Sequence, residues 1–140
     1  MNSKENENLI FIRLFPNEDV NEQIINACKK HSVKTAILIS AIGQLKKVNL
    51  GYFKKKGDYS PKIIRKSLEI LSLTGNICKQ NDEYITHFHI VVGDENKNAF
   101  GGHFIEGIIS VTAEIILLKN EVDIFRKLNK TTGLKDLSFK

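Results

Sequence analysis

"THFHIVVGDENKNAFGGHF", residues Thr86 to Phe104, decides how this 140-residue chain is read. Its first half alternates. Successive side chains of an extended strand point to opposite faces. Phe88, Ile90 and Val92 therefore face a core, while His87, His89 and Val91 share the other side. "DENKN" (Asp94 to Asn98) has loop chemistry and could reverse the chain. "AFGGHF" would then lie beside the first strand, with His103 next to the histidine pair. Gly101 and Gly102 remove side chains just before it, as glycine in a strand does at bulges and close approaches.

The pair has a geometry worth testing. At a rise of about 3.3 Å per residue, His87 and His89 stand roughly 6.5 Å apart. Two imidazoles at that separation can converge on one ion with bonds of about 2.0–2.1 Å. With His103 they would make three ligands and an open fourth position, the form of a catalytic zinc site. Imidazole also suits copper, nickel and iron, so the pattern does not choose the metal. The competing reading is three polar side chains on a solvated sheet. His31, the fourth histidine, falls at a helix end and reads as a surface or hydrogen-bonded residue.

Working outward, "LIFIRLF" (Leu9 to Phe15) reads as a strand and "PNED" as a turn, with Asn17 a candidate helix N-cap. Val20 to His31 is a helix, with Val20, Ile24, Ala27 and Cys28 on one stripe and positive charge at its C-terminal end. "KTAILISAIG" (Lys34 to Gly43) is almost continuously apolar and predicts a strand buried on both faces. Lys47 to Phe53 alternates as a strand, and "KKKGDYSPK" is a charged loop. Ile63 to Ile77 fits helix or strand by composition, and its second half alternates as a strand. "QNDE" is a turn, and Ile108 to Lys119 is a long strand. "VDIFRKLN" is a further strand or terminal segment, and "TTGLKDLSF" is a tail. Residues 1–8 read as a disordered tail before a single domain, 9–140. The sum is an α+β protein: a mostly antiparallel sheet or partly closed barrel with one main helix near the N-terminus. One helix cannot cover a whole sheet, and association with other copies is one way to cover the rest.

The bulk numbers exclude some classes. The chain is 41% hydrophobic and 26% charged, ordinary globular values. Its net charge of +5 comes mostly from Lys, with only three Arg. That fits a weak pull on polyanions, or simply a solvated Lys-rich surface. Arginine, the side chain suited to bidentate base contacts, is scarce. Cys28 and Cys78 form no CxxC pair and read as reduced thiols of a cytoplasmic protein. No apolar run is long enough to span a bilayer, so no membrane partner is expected. There is no P-loop, GxGxxG or GxSxG motif. Glu69 in "LEIL" and Glu114 in "TAEII" stand in apolar runs and would need partners if buried. Arg13 and Arg126 are similarly placed and could be those partners, flanking the histidines to bind a polar ligand. By alternation each could equally face water.

"LEILSLTGNI", "THFHIVVGDENKNAFGGHFIEGIISVTAEIIL" and "FRKLNKTTGLKDL", with "AILISAIGQLKKVNLGYF" before them, resemble the plant-and-prokaryote-conserved (PPC) domain family. The resemblance runs from about Ile10 to Leu137. It implies an α+β fold, a homotrimer and a predicted DNA-binding role. It also implies a metal, zinc or another divalent transition ion, held at the positions of His87, His89 and His103. The family's acid and arginine positions map to Glu69, Glu114, Arg13 and Arg126. In plant relatives DNA contact belongs mainly to a separate Arg-Gly-Arg-Pro hook, which this chain lacks. DNA affinity would then be weak, electrostatic and not sequence-specific, through Lys54, Lys55 and Lys56 repeated around a trimer. Two other readings stay open: a zinc-dependent enzyme or small-ligand metalloprotein using the three histidines, and a trimeric assembly module without metal. No residue set names a substrate or a reaction.

Overall fold

The computed structural model describes residues 1–140. Nine strands and one helix follow one another: β1 (Asn2–Asn6), β2 (Leu9–Leu14), α1 (Val20–Lys30), β3 (Thr35–Gly51), β4 (Lys62–Ile64), β5 (Leu68–Gln80), β6 (Glu83–Gly93), β7 (Ala99–Asn120), β8 (Ile124–Leu128) and β9 (Lys135–Phe139). Seven strands form one sheet in the order β1-β2-β7-β6-β5-β3-β4, every pairing antiparallel. β3 also pairs with β7, so β3, β5, β6 and β7 close into a ring. The expected α+β class, mostly antiparallel and partly closed, is what the chain forms.

Closure depends on bending β3. Its register against β7 slips at Leu38/Ser40, Gly43/Leu45, Leu45/Lys47 and Asn49/Leu50. Each slip adds local twist and turns the strand further. Gly43, at φ 141°, lies so close to β7 that a Cβ there would stand 2.2 Å from the Thr112 carbonyl oxygen. Only glycine fits both the dihedral and the space. The slips also set burial. Ala36, Leu38 and Ala41 enter the core, whereas Ile37, Ile39 and Ile42 remain about half exposed. The double-sided burial expected of "AILISAI" is therefore not reached within one chain.

One cluster of 26 buried residues fills the ring and the space under the helix. α1 contributes Val20, Ile24, Ala27 and Cys28, the stripe that its spacing predicts. Its N-cap is Asp19, not Asn17: the Asp19 carboxylate accepts the Glu22 N–H at 2.8 Å. Asn17 instead adopts a left-handed turn conformation, and its side-chain oxygen accepts a hydrogen bond from Lys46.

Both chain ends differ from expectation. Residues 2–6, read as a frayed tail, form β1 and pair with β2 through a tight turn at Glu7, where φ is 53°. Their side chains alternate between exposed and half-buried, a polar pattern that gives no core signal in sequence. Glu5 ties the strand down, with contacts to Lys119 at 3.0 Å and His31 at 3.2 Å. The C-terminal "tail" holds β9, which pairs with β8 as a separate hairpin. Gln80 clamps that hairpin onto the main sheet. Its side-chain oxygen accepts the Arg126 N–H at 2.8 Å, and its amide donates to the Arg126 carbonyl at 3.4 Å.

Candidate metal centre

The register of β6 is set by its two turns. Asn81 and Asp82, with φ of 51° and 63°, make the two-residue turn from β5, a conformation their short polar side chains tolerate. That turn puts Asn76 opposite His87 and Thr74 opposite His89. On the other side Asp94 organises the loop to β7. Its carboxylate accepts the N–H groups of Asn96 and Asn98, both at 3.0 Å, and the Lys66 ammonium at 3.1 Å. Gly93 then pairs with Ala99, and four steps along the ladder His89 pairs with His103.

The three histidines of the opening stretch therefore meet. Their ring centroids form a nearly equilateral triangle of 5.4, 5.3 and 5.4 Å. One ligand nitrogen from each lies within 4.8 Å of the other two. His31 is elsewhere, bonded to Ser3 at 2.9 Å and paired with Glu5. The triad lines a cavity of about 740 Å³ walled by Phe53, Tyr59, Ile85, Leu134 and Arg126. Tyr59 packs on His103 with centroids 5.6 Å apart, and Phe53 packs on Tyr59 at 5.6 Å. The α1 N-terminus braces the same strands. The Asn21 amide donates to the Ile105 carbonyl at 2.9 Å, and the Thr86 hydroxyl meets the Asn21 oxygen at 3.3 Å.

The electrostatics favour uncharged imidazoles at His87 and His103. Partial enclosure by the cavity walls lowers the His87 pKa, and the positive charges of Arg126 and His89 lower it further. Enclosure likewise lowers that of His103, followed by repulsion from His87 and His89. Neutral imidazole is the form with a free lone pair, as a metal ligand requires. Three imidazole nitrogens converging on one point fit a borderline-soft divalent ion.

Of the flanking candidates, only Arg126 reaches this cavity. Glu69 pairs with Gly93 at the far end of β5 and accepts from the Gln44 amide at 2.9 Å. Arg13 and Glu114 stand opposite each other on β2 and β7, on the outer face with Phe11 and Ile42. The Arg13 guanidinium lies 5.1 Å from the Phe15 ring centroid. Lys54, Lys55 and Lys56 lie on an exposed loop between Phe53 and Tyr59, with Lys56 donating to the Lys130 carbonyl at 2.6 Å. Sequence reasoning missed Tyr59, Asn76 and Gln80. Each acts through long-range packing, and nothing local marks them.

A model of the Plants and Prokaryotes Conserved (PCC) domain matches residues 1–121. The chain belongs to that family. Among solved structures, a candidate DNA-binding protein from Bacteroides thetaiotaomicron superposes with a TM-score of 0.92 at 26% identity, covering 99% of this chain and 96% of that one. A plant- and prokaryote-conserved protein from Pyrococcus horikoshii matches at 0.80 and 30%, covering 99% and 96%. A metal-containing protein from Archaeoglobus fulgidus matches at 0.83 and 25%, covering 96% and 95%. In sequence, the bifunctional protein GlmU of Synechococcus sp. (strain JA-2-3B'a(2-13)) is 30% identical over 128 residues, 90% of this PCC-domain chain but 19% of that protein. The chain thus spans about a fifth of the length of the curated relatives it matches. The β8–β9 hairpin, which carries Arg126, lies beyond the residues that the family model matches.

Proposed function

We propose that this PCC-domain protein is a homotrimer in which each chain holds one divalent transition-metal ion, zinc first among them, on His87, His89 and His103, and that it binds DNA weakly through charge. The observation that carries the metal reading is the triangle of imidazole rings on paired strands. A relative of the same fold is described as metal-containing, in line with that reading. Bound on three imidazoles, such an ion supplies Lewis acidity and an open coordination position. The chain's own residues do the rest. β6 and β7 orient the rings, Tyr59 packs on His103, and enclosure by the cavity walls lowers the pKa of His87 and His103, which favours the form that binds metal. Use of this centre by a zinc-dependent enzyme or a small-ligand metalloprotein is the second reading, favoured by Arg126 beside the triad.

The trimer is supported by the outer face. Phe11, Ile37, Ile39, Ile42, Leu71 and Val111 expose about half or more of their surface. Several lie side by side across β2, β7 and β3, where a second copy would bury them. DNA affinity is supported by the net charge of +5, the exposed Lys54 and Lys55, and relatives described as candidate DNA-binding proteins. Contacts of this kind go to phosphates and carry no sequence information.

Metal analysis of untagged protein tests the centre. We expect near-stoichiometric metal in the native chain and its loss in the His87→Ala/His103→Ala variant; equal content in both would sink the reading. Solution mass with and without chelator tests whether a trimer depends on the metal or is an assembly module indifferent to it. A salt titration of duplex binding tests the DNA reading, which predicts affinity at low salt that falls linearly on logarithmic axes. Binding that ignores salt would refute it.

A further inference from the structure

We propose that the histidine cavity takes a small organic acid, its carboxylate held by Arg126 and its apolar body lying against Phe53, Tyr59 and Leu134. This rests on reading the cavity as the protein's functional centre, but not on a metal being bound there. Arg126 is 7% exposed, one of the few charged or polar residues placed inside the protein. Its Nη1 donates to the Lys135 carbonyl at 3.4 Å and its Nη2 to the Asn76 side-chain oxygen, both neutral acceptors. Its Nε is buried with no partner. None of the ion pairs in the structure includes it. A guanidinium has five N–H donors and is charged at any working pH. A buried charge facing only neutral groups is costly unless an opposite charge joins it.

The chain nonetheless holds this arginine firmly. Gln80 brackets its backbone from both sides, and Asn76, directly opposite His87, fixes its outer nitrogen. The one carboxylate lining the cavity, Asp136, stands opposite Lys127 in the register of the hairpin, accepts from the Asn129 amide at 2.9 Å and forms no ion pair with Arg126. It leaves the guanidinium unanswered.

The remaining walls select among anions. A bare inorganic ion would leave the cavity-facing surfaces of Phe53, Tyr59, Ile85 and Leu134 uncovered. The cavity, about 740 Å³, lies within the roughly 300–1,000 Å³ of small-molecule sites. A single carboxylate matches the single uncompensated charge, and its two oxygens match the guanidinium fork.

Benzoate is a suitable probe, with inorganic phosphate and a DNA duplex as the other arms, each titrated into zinc-loaded and chelator-treated full-length protein. Binding is followed by calorimetry and by the ¹⁵N–¹H signal of Arg126 Nε. We expect benzoate to shift that signal saturably, Arg126→Gln to weaken benzoate at least tenfold with metal content unchanged, and Arg126→Lys to recover only part. Arg126-dependent binding to chelator-treated protein upholds the inference even if the metal reading fails. Zinc-loaded protein whose Arg126 signal ignores benzoate overturns it while leaving the metal reading standing. Phosphate binding tighter than benzoate, or duplex DNA displacing it, overturns the organic-acid assignment. If Arg126→Gln does not fold, the wild-type titration alone decides.

Discussion

Gly101→Ala should uncouple the histidine site from the rest of the fold. Gly101 pairs with Val91, two residues before the His89–His103 pair. A Cβ at this position would stand 2.0 Å from the Ile90 carbonyl oxygen, where ordinary contacts begin at 3.4 Å. The obstacle is backbone, which cannot swing aside as a side-chain tip can. β7 must therefore retreat from β6 by on the order of 1 Å to regain normal packing distance. Forced shifts of this kind cost about 1–3 kcal/mol. For a chain of this size that lowers Tm by roughly 3–15 °C. The effect on the centre is proportionally larger, because metal–ligand distances tolerate only about 0.2 Å. A retreat of β7 carries His103 away from His87 and His89 together. Calorimetry of chelator-treated protein measures the first effect, and elemental analysis of protein refilled with zinc measures the second. We expect a lowered Tm and less than half the wild-type zinc. An unchanged Tm would show that the strands absorb the methyl, and a lowered Tm with full zinc would show that register does not hold the site.

The other predictions concern the frame. Lys119, first by its hydrogen bond and then by its charge, together with His31, holds the Glu5 carboxyl below its ordinary value of 4.5. A carboxylate with a depressed folded pKa stabilises above the unfolded value, and that contribution is lost as pH falls through the folded one. Amide protection in β1, taken relative to the intrinsic exchange rate at each pH, should therefore fall below about pH 4.5, and Glu5→Gln should flatten that dependence; unchanged acid sensitivity in the variant would refute it. Burial pushes the Cys28 thiol up to about 12. A disulfide reagent at pH 8 should leave it intact until denaturant is added, and rapid modification of the native protein would contradict its placement. Phe88 is 1% exposed, whereas His87 next to it faces the cavity. Phe88→Ala should cost about 3–5 kcal/mol and His87→Ala, without metal, within about 0.5 kcal/mol, as chemical denaturation would measure. Similar costs for both would undo the assignment of faces.

The site was more legible than its surroundings. His87 and His89 needed only the two-residue period of a strand. His103 needed one reversal, marked by the polar run at Asp94–Asn98 and completed by the Asp94 side chain. Glu69, Glu114 and Arg13 looked equally eligible in sequence, because an ionisable residue in an apolar run looks the same whichever face it takes. Register distributed them. Arg13 and Glu114 face each other on the outer surface, Glu69 reaches Gln44, and Arg126 alone arrives at the histidines.

Short-range periodicity carries the part of the fold that can be read along the chain. The helix stripe from Val20 to Cys28, the alternation from Tyr84 to Val92, the turn at Asn81 and Asp82, and the shared face of His87 and His89 all repeat or resolve within a few residues. Tertiary structure alone decided the rest. β3 closes on both β5 and β7 because its bulges bend it, and no local signal states how often a strand will slip. β1 and β9 form because the neighbouring strand of a hairpin accepts their backbone groups, not because their own side chains demand a core. Arg126 enters the cavity because Gln80 and Asn76, some fifty residues earlier, hold the hairpin there. Contacts at such separation depend on how the whole chain packs, and that information lies in no single stretch.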